Sequence, residues 1–358
     1  MKKWLKALLF LIPLLLMVAA ANWYVDSYAC LRITYDEIGR QMIEEGRNVV
    51  GLEESVFNDR SLLAACLEQQ EEAKELVVIG SSRVLNFDHT MFGTESFYNA
   101  GLSESTIYDL WAVTGILAQN GHLPEKMLIG VDAFLFNAAH NNERWTELAS
   151  YENYMSVLLD GKLNEHTPKG KINTGRDWSK LLSLDYFRYH VTCLRERRRF
   201  AVTYTDEWET EQYTKHYDGS IAYERPLRDV DEEEVVALTK QAMEEQVVYR
   251  MTDYEEIDEE SMEMLVRLVD YLKGQGVEVI LYLPPYSPMM YDYIESEEAF
   301  GKAFEVEERM KQLASERQIA LYGSYDPEGC GLQMSDLYDA YHVKTEKMKD
   351  TLYPVIVP

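Results

Sequence analysis

Hydrophobic positions along the chain fall into two alternating rhythms, short unbroken runs and longer amphipathic stretches. Glu75-Leu76-Val77-Val78-Ile79-Gly80 is a β-branched run closed by glycine and two serines, the pattern of a buried parallel strand that feeds a turn and a helix. Phe97-Tyr98-Asn99-Ala100 predicts a second strand, Ser105 to Gln119 has helical apolar spacing, and Lys126-Met127-Leu128-Ile129-Gly130-Val131 resumes strand character. From about Asn137 to Asp253 the rhythm gives way to a polar, aromatic-rich stretch. Alternation then returns: an amphipathic helix over Glu260 to Lys273 closed by Gly274 and Gly276, the clearest strand of the chain at Val277 to Leu283, and a stop at Pro284-Pro285. A helix from about Ala299 to Arg317, a strand at Ile319-Ala320-Leu321-Tyr322 and a C-terminal helix at Lys344 to Leu352 complete the series. The β-α-β order predicts an α/β fold of three layers, a parallel sheet flanked by helices on both faces. That domain spans residues 75–358, with a largely helical insertion at about 138–253 and a mostly helical lead-in over 31–74. Ligands of such sheets sit at the carboxyl ends of the strands.

The first thirty residues follow neither rhythm. Lys2, Lys3 and Lys6 precede an apolar run from Ala7 to Ala21, with Trp23 and Tyr24 following before the first acid, Asp26. Ala19-Ala20-Ala21 offers the small residues of a cleavable signal peptide. From Trp4 to Val25 there are about 22 residues, enough for the hydrocarbon core of a bilayer, and the aromatic pair stands where an interfacial belt would, so an uncleaved N-terminal transmembrane helix is preferred. Positive charge before the run keeps that end in the cytoplasm. The expected location is the cell membrane, single-pass, with the remaining chain extracytoplasmic.

Composition narrows the function classes. The chain has 358 residues, is 46% hydrophobic and carries 35 basic against 62 acidic residues for a formal charge of −27, so it is globular and its field repels nucleic acid. Acidic runs at Asp231 to Glu234 and Glu255 to Glu260 read as solvated faces or helix starts. Cys30, Cys66, Cys193 and Cys330 are widely spaced without a C-x-x-C, and their pairing is open. His89, His140 and His190 lack partners at metal-ligand spacing, and no nucleotide motif stands out, so neither metal nor cofactor is expected.

Three features fall where the sheet's carboxyl edge would present chemistry. Gly80-Ser81-Ser82 would expose a serine hydroxyl on a tight strand-to-helix turn. In Asp339-Ala340-Tyr341-His342 the aspartate can accept from the histidine Nδ1, leaving Nε2 to take a proton from serine; of seven histidines only His342 has an acid three residues earlier. In Asn99-Ala100-Gly101 the glycine N–H could join that of Ser82 in binding an oxyanion.

Taken in order over residues 75 to 352, these motifs resemble the SGNH (GDSL-type) hydrolase superfamily. The resemblance implies Ser82 as nucleophile, Asp339 and His342 completing a triad, and Gly101 and Asn99 near the oxyanion. A Gly-Ser-Ser motif after an N-terminal anchor is similar to the family's extracytoplasmic branch, which serves lipoteichoic-acid D-alanylation and related cell-envelope modifications. Asn22-Trp23-Tyr24-Val25-Asp26, Leu283-Pro284-Pro285-Tyr286 and Asp218-Gly219-Ser220 look like features of that branch. It implies an esterase or O-acyltransferase acting on a cell-envelope glycan or teichoic-type polymer, often beside a membrane-bound O-acyltransferase. The alternative is a non-catalytic scaffold of the same fold that partners such an acyltransferase. The family's third block normally supplies an oxyanion-binding asparagine, but this chain has Asp132 in Gly130-Val131-Asp132-Ala133-Phe134-Leu135-Phe136-Asn137. An ionised Asp132 cannot donate, so it points away, or Asn137 or Asn99 substitutes, or the hole is backbone alone.

Within the insertion, Arg195, Arg197, Arg198 and Arg199 form the one dense basic cluster, read as an exposed helix face or a dock for phosphate or anionic headgroups. Trp145, Tyr151, Tyr154 and Trp178 are read as core, with sugar stacking as the alternative.

Overall fold

The computed structural model describes residues 3–26, 31, 33–52, 57–139, 143–163, 176, 178–195, 202–245, 250–251 and 253–358, with the side chains of 3–10 and 193–194 left out. His140, Arg197, Arg198, Arg199 and Cys30 therefore lie outside the described residues, as does the side chain of Cys193.

Among the described residues there are ten strands: β1 (Asn48–Val50), β2 (Leu76–Ile79), β3 (Phe97–Asn99), β4 (Lys126–Gly130), β5 (Thr203–Thr205), β6 (Thr214–Lys215), β7 (Ile221–Ala222), β8 (Glu278–Leu283), β9 (Ala320–Gly323) and β10 (Pro354–Ile356). Six form the main sheet in the order β10-β9-β8-β4-β2-β3. All its pairings are parallel except β10 on β9. Helices flank this sheet, the α/β arrangement expected. Val77, Val78, Ile79, Met127, Ile129 and Leu281 are buried, which is why these strands read as continuous apolar runs: a sheet covered on both faces has no wet side to alternate toward.

Numbered by their own succession, the five parallel strands run 2-1-3-4-5. The chain grows outward in one direction from β2 to β3, then in the other from β4 onward, so a crevice opens between the carboxyl ends of β2 and β4. Register places Ile79 beside Ile129, so Gly80 leaves the sheet next to Gly130, the last residue of β4, which still pairs with Tyr282 on β8. A Cβ on Gly80 would stand 3.1 Å from the Gly130 Cα, and one on Gly130 only 2.4 Å from a Val84 methyl. Two glycines let the turn after β2 lie directly across the end of β4.

The lead-in differs from the helical expectation. Two helices, Tyr35–Ile43 and Asp59–Glu68, do form, each with its N-terminal N–H groups capped, by Thr34 and by Asn58. Between them, however, β1 enters a small antiparallel sheet, β5-β1-β6-β7, whose other three strands come from the insertion. Ile38, Met42 and Leu62 share one continuous core with the main sheet, and the buried Arg60 guanidinium grips Asp109 through two bonds of 2.8 and 2.9 Å. Asp109 also closes a capping box with Thr106 on the helix Ile107–Gln119, so one carboxylate joins lead-in and domain.

The insertion carries helices (Ala149–Asp160, Leu184–Arg195, Glu232–Glu244) together with those three short strands. Trp145 stacks on Tyr108 at 4.6 Å, Tyr151 is buried with its hydroxyl on Glu68, and Tyr154 packs against the core, so these three aromatics serve packing. Cys66 and Cys330 are free thiols, and burial pushes the Cys66 thiol up to about 11. The C-terminal helix is shorter than expected, Thr345–Met348 with a 3-10 turn after it, because the chain turns to add β10 to the sheet.

Insertion and sheet are locked together at Asp218-Gly219-Ser220. The Asp218 carbonyl accepts from the Asn99 N–H at 2.7 Å, and a Cβ on Gly219, whose φ is +82°, would stand 2.1 Å from the Asn99 carbonyl oxygen. Gly219→Ala is therefore expected to cost about 2–3 kcal/mol, read as a lowered urea midpoint, while the equally left-handed but open Gly161→Ala costs about 1 kcal/mol.

Candidate active site

Ser82 opens the 3-10 turn Ser82–Val84 directly after β2 and Gly80. The Ser81 hydroxyl caps this turn by accepting from the Arg83 N–H at 3.2 Å. From the other side Asn99, at the end of β3, donates both amide hydrogens to carbonyls around it, 2.7 Å to Val84 and 2.9 Å to Phe87. A seryl turn held at both ends keeps the hydroxyl in one place.

Asp339 and His342 sit on a tight loop after β9. Leu337 and Val343 pair antiparallel, and the Tyr338 N–H donates to the His342 carbonyl at 2.8 Å, which closes the chain into a narrow ring. Inside it, Asp339 Oδ1 accepts from the Tyr341 and His342 N–H groups at 2.7 and 2.9 Å. Asp339 Oδ2 faces His342 Nδ1 at 2.8 Å. The three-residue spacing works because the loop doubles back.

Ser82 Oγ lies 2.9 Å from His342 Nε2, although 260 residues separate the two in sequence. A carboxylate only accepts, so neutral His342 carries its proton on Nδ1 and turns the Nε2 lone pair to the serine hydroxyl. Burial alone would raise the Asp339 carboxyl, but His342 and the two backbone N–H groups outweigh it and hold that carboxyl below its ordinary value. Its contribution to stability is full above the ordinary carboxylate range and is lost as pH falls through the depressed value. Asp339 thus stays ionised wherever an imidazole titrates. On a catalytic reading of this contact, the acylation rate of Ser82 should rise to a plateau from acid to neutral pH as one deprotonation, with no second carboxylate step in the limb; a pH–rate profile with an acid slope of two would contradict this.

Arg83, the neighbour of the seryl hydroxyl, is buried, and the sequence reading did not single it out. Its guanidinium donates to Asp132 Oδ1 at 2.7 Å, to the Pro284 carbonyl at 2.7 Å and to the Tyr341 carbonyl at 3.3 Å, and it lies 4.3 Å over the Tyr286 ring. One cation therefore ties the seryl turn to the ends of β4 and β8 and to the histidine loop. Burial opposes its charge, yet Asp132 more than offsets that and the guanidinium is raised above its usual value. Asp132 faces this cation as its counter-ion. Asp132 and Arg83, the residue after Ser82, are two halves of one ion pair, a signal that could have been found by asking which cation a buried aspartate needs.

The remaining expected residues are otherwise engaged. The Gly101 N–H donates to Asn99 Oδ1 at 2.9 Å, and the Asn99 amide hydrogens are spent on the seryl turn. Asn137 donates to the Arg250 carbonyl at 2.8 Å and accepts from the Ala139 N–H. The Ser82 N–H, at the first position of its turn, has no protein acceptor among the described residues.

His89 also gains a distant partner, with Nδ1 2.8 Å from Asp218 Oδ2. Asp218 takes the Ser220 hydroxyl at 2.6 Å, and Ser220 in turn meets His216 at 2.8 Å. Asp218, His216 and Ser220 are all buried, so this chain of polar groups fastens the insertion to β3 rather than facing a substrate. Compared with models of known protein families and with curated protein sequences, the chain matches none.

Proposed function

We propose that this chain is an extracytoplasmic serine esterase or O-acyltransferase of SGNH type that acts on a cell-envelope glycan or teichoic-type polymer. The single observation that carries the reading is the contact of 2.9 Å between Ser82 Oγ and an imidazole whose far nitrogen is held by Asp339. Ser82 Oγ attacks the acyl carbonyl while its proton passes to His342 Nε2. The imidazolium then gives that proton to the departing alcohol oxygen, leaving an acyl-serine. Water or a polymer hydroxyl attacks the acyl carbon with His342 as base, and the serine is released. The Ser82 N–H is the oxyanion donor available without rearrangement. A missing second donor costs about 10²–10³ in rate, which makes this a slow acyl enzyme rather than a fast general esterase. That shortage of donors is also what favours the second reading, a scaffold of the same fold beside a membrane-bound O-acyltransferase.

The proposed location rests on the helix Lys3–Val25. Leu11, Ile12, Leu14, Leu15, Leu16 and Met17 are all exposed, and at 100° per residue they cover every side of the helix rather than one stripe. No helix is long and apolar enough to cross a membrane among the described residues. Described side chains of this helix begin at residue 11, and the rest of the span is the apolar run from Trp4. On this reading the helix anchors the chain and the domain stands outside.

The test uses the full chain in detergent with p-nitrophenyl acetate and a soluble polysaccharide acceptor. The account expects a burst of one nitrophenolate per chain, acetyl mapped to Ser82, and faster turnover with acetylated glycan as product when acceptor is added. Absence of both burst and turnover in folded protein would favour the scaffold.

A further inference from the structure

The far end of the helix Lys3–Val25 does not simply lead into the domain; it is clamped to one piece of the insertion. The Asn22 amide nitrogen lies within hydrogen-bond distance of three carbonyls, Lys180 at 2.9 Å, Leu181 at 3.1 Å and Ser183 at 2.9 Å. They lie where the 3-10 turn Trp178–Leu182 passes into the helix Leu184–Arg195, and the Lys180 and Ser183 carbonyls also accept from the Ser183 and Phe187 N–H groups. One turn along, the Asp26 carboxylate accepts from the Leu31 N–H at 3.0 Å and from the Tyr186 hydroxyl at 3.1 Å, and Tyr186 belongs to the helix Leu184–Arg195. Trp23 stacks on Trp178, 6.0 Å between centroids and 11° from parallel. Buried polar bonds of this kind fix a height, so the segment Trp178–Arg195 has to sit level with the end of the helix.

That segment exposes large apolar side chains among its polar ones. Trp178, Leu182 and Leu184 are 58%, 53% and 56% exposed, with Val191 exposed on the following helix. Lys180, Arg188 and Arg195 lie on the same segment against one acid, Asp185, which pairs with Arg188 at 3.2 Å, so the segment stays net positive in a chain whose net charge is −27. An apolar edge with local positive charge, level with an aromatic pair at the end of an all-round apolar helix, matches the chemistry of a bilayer interface with anionic headgroups.

We infer that Trp178, Leu182 and Leu184 form a monotopic platform that dips into the outer leaflet beside the anchor and fixes the orientation of the domain on the membrane. This rests on the reading of Lys3–Val25 as an anchor. The lipid surface is the occupant because the platform continues the surface of that helix, and a protein partner on the same face is the competing outcome.

The experiment reconstitutes the full chain into vesicles of equal parts phosphatidylglycerol and phosphatidylcholine, with acyl chains brominated near the headgroup end. Flotation reads the anchor. The Trp178 contribution to quenching is the difference between the chain and its Trp178→Phe variant. The inference expects co-flotation and strong Trp178 quenching that falls at least about twofold in Leu182→Asp/Leu184→Asp while flotation persists. Co-flotation with Trp178 unquenched overturns the platform, assigns the face to a protein partner and leaves the anchor standing. Failure to float overturns the anchor and the platform together.

Discussion

Ser82→Ala is expected to lower kcat for an activated acyl ester by about 10⁴–10⁶, and His342→Ala by a similar factor, with the pair of changes costing little more than either alone. Non-additivity follows from geometry: the hydroxyl, 2.9 Å from Nε2, and the imidazole act through one shared proton. Asp339→Asn is the more discriminating variant. The asparagine oxygen can still accept from the Tyr341 and His342 N–H groups, so the loop keeps its shape. Its amide nitrogen would then face His342 Nδ1 and turn the ring to the tautomer with hydrogen on Nε2, which cannot receive the serine proton. A loss of about 10⁴ in kcat is expected, with only the modest fall in urea midpoint that losing the ionised carboxylate brings. Comparable losses in activity and stability would instead assign Asp339 to loop architecture.

The second large effect lies in the pair beneath the serine. Arg83→Met leaves Asp132 fully buried without its cation and with Oδ2 already lacking a protein partner, and should destabilise the chain by about 3–5 kcal/mol. Adding Asp132→Leu removes the stranded charge, so the double variant should regain most of that stability. Activity should not return with it. The Pro284 and Tyr341 carbonyls still lack their donor in the double variant, and the histidine loop loses its tie to the seryl turn. Urea unfolding and ester turnover on the same set of variants separate the two roles; recovery of both together would make the pair a matter of packing alone.

Arg83 also shows where the sequence was opaque. Main-sheet strands were legible because burial on both faces leaves an uninterrupted β-branched signal, as in Leu76–Ile79 and Glu278–Leu283. The triad was legible through punctuation, a Gly-Ser-Ser at a strand end and an acid three residues before a histidine. What stayed hidden depends on distant partners. β1, β5, β6 and β7 span two or three residues each, too short for any period, and they exist because lead-in and insertion supply edges to one another. Asn99 was read as a ligand to an oxyanion, whereas its amide holds the seryl turn; the residue type suits both uses, and only the positions of the Val84 and Phe87 carbonyls decide. His89 showed no acid at ligand spacing because its partner, Asp218, lies 129 residues away. Trp178, grouped with the core aromatics, stands largely exposed against Trp23.

The central claim is that Ser82 is an activated nucleophile, and fluorophosphonate labelling of the full chain with peptide mapping tests it most directly. The account predicts one label per chain on Ser82, lost in Ser82→Ala and in His342→Ala. A folded chain that takes no label, or takes it at a residue whose labelling survives Ser82→Ala, would contradict it.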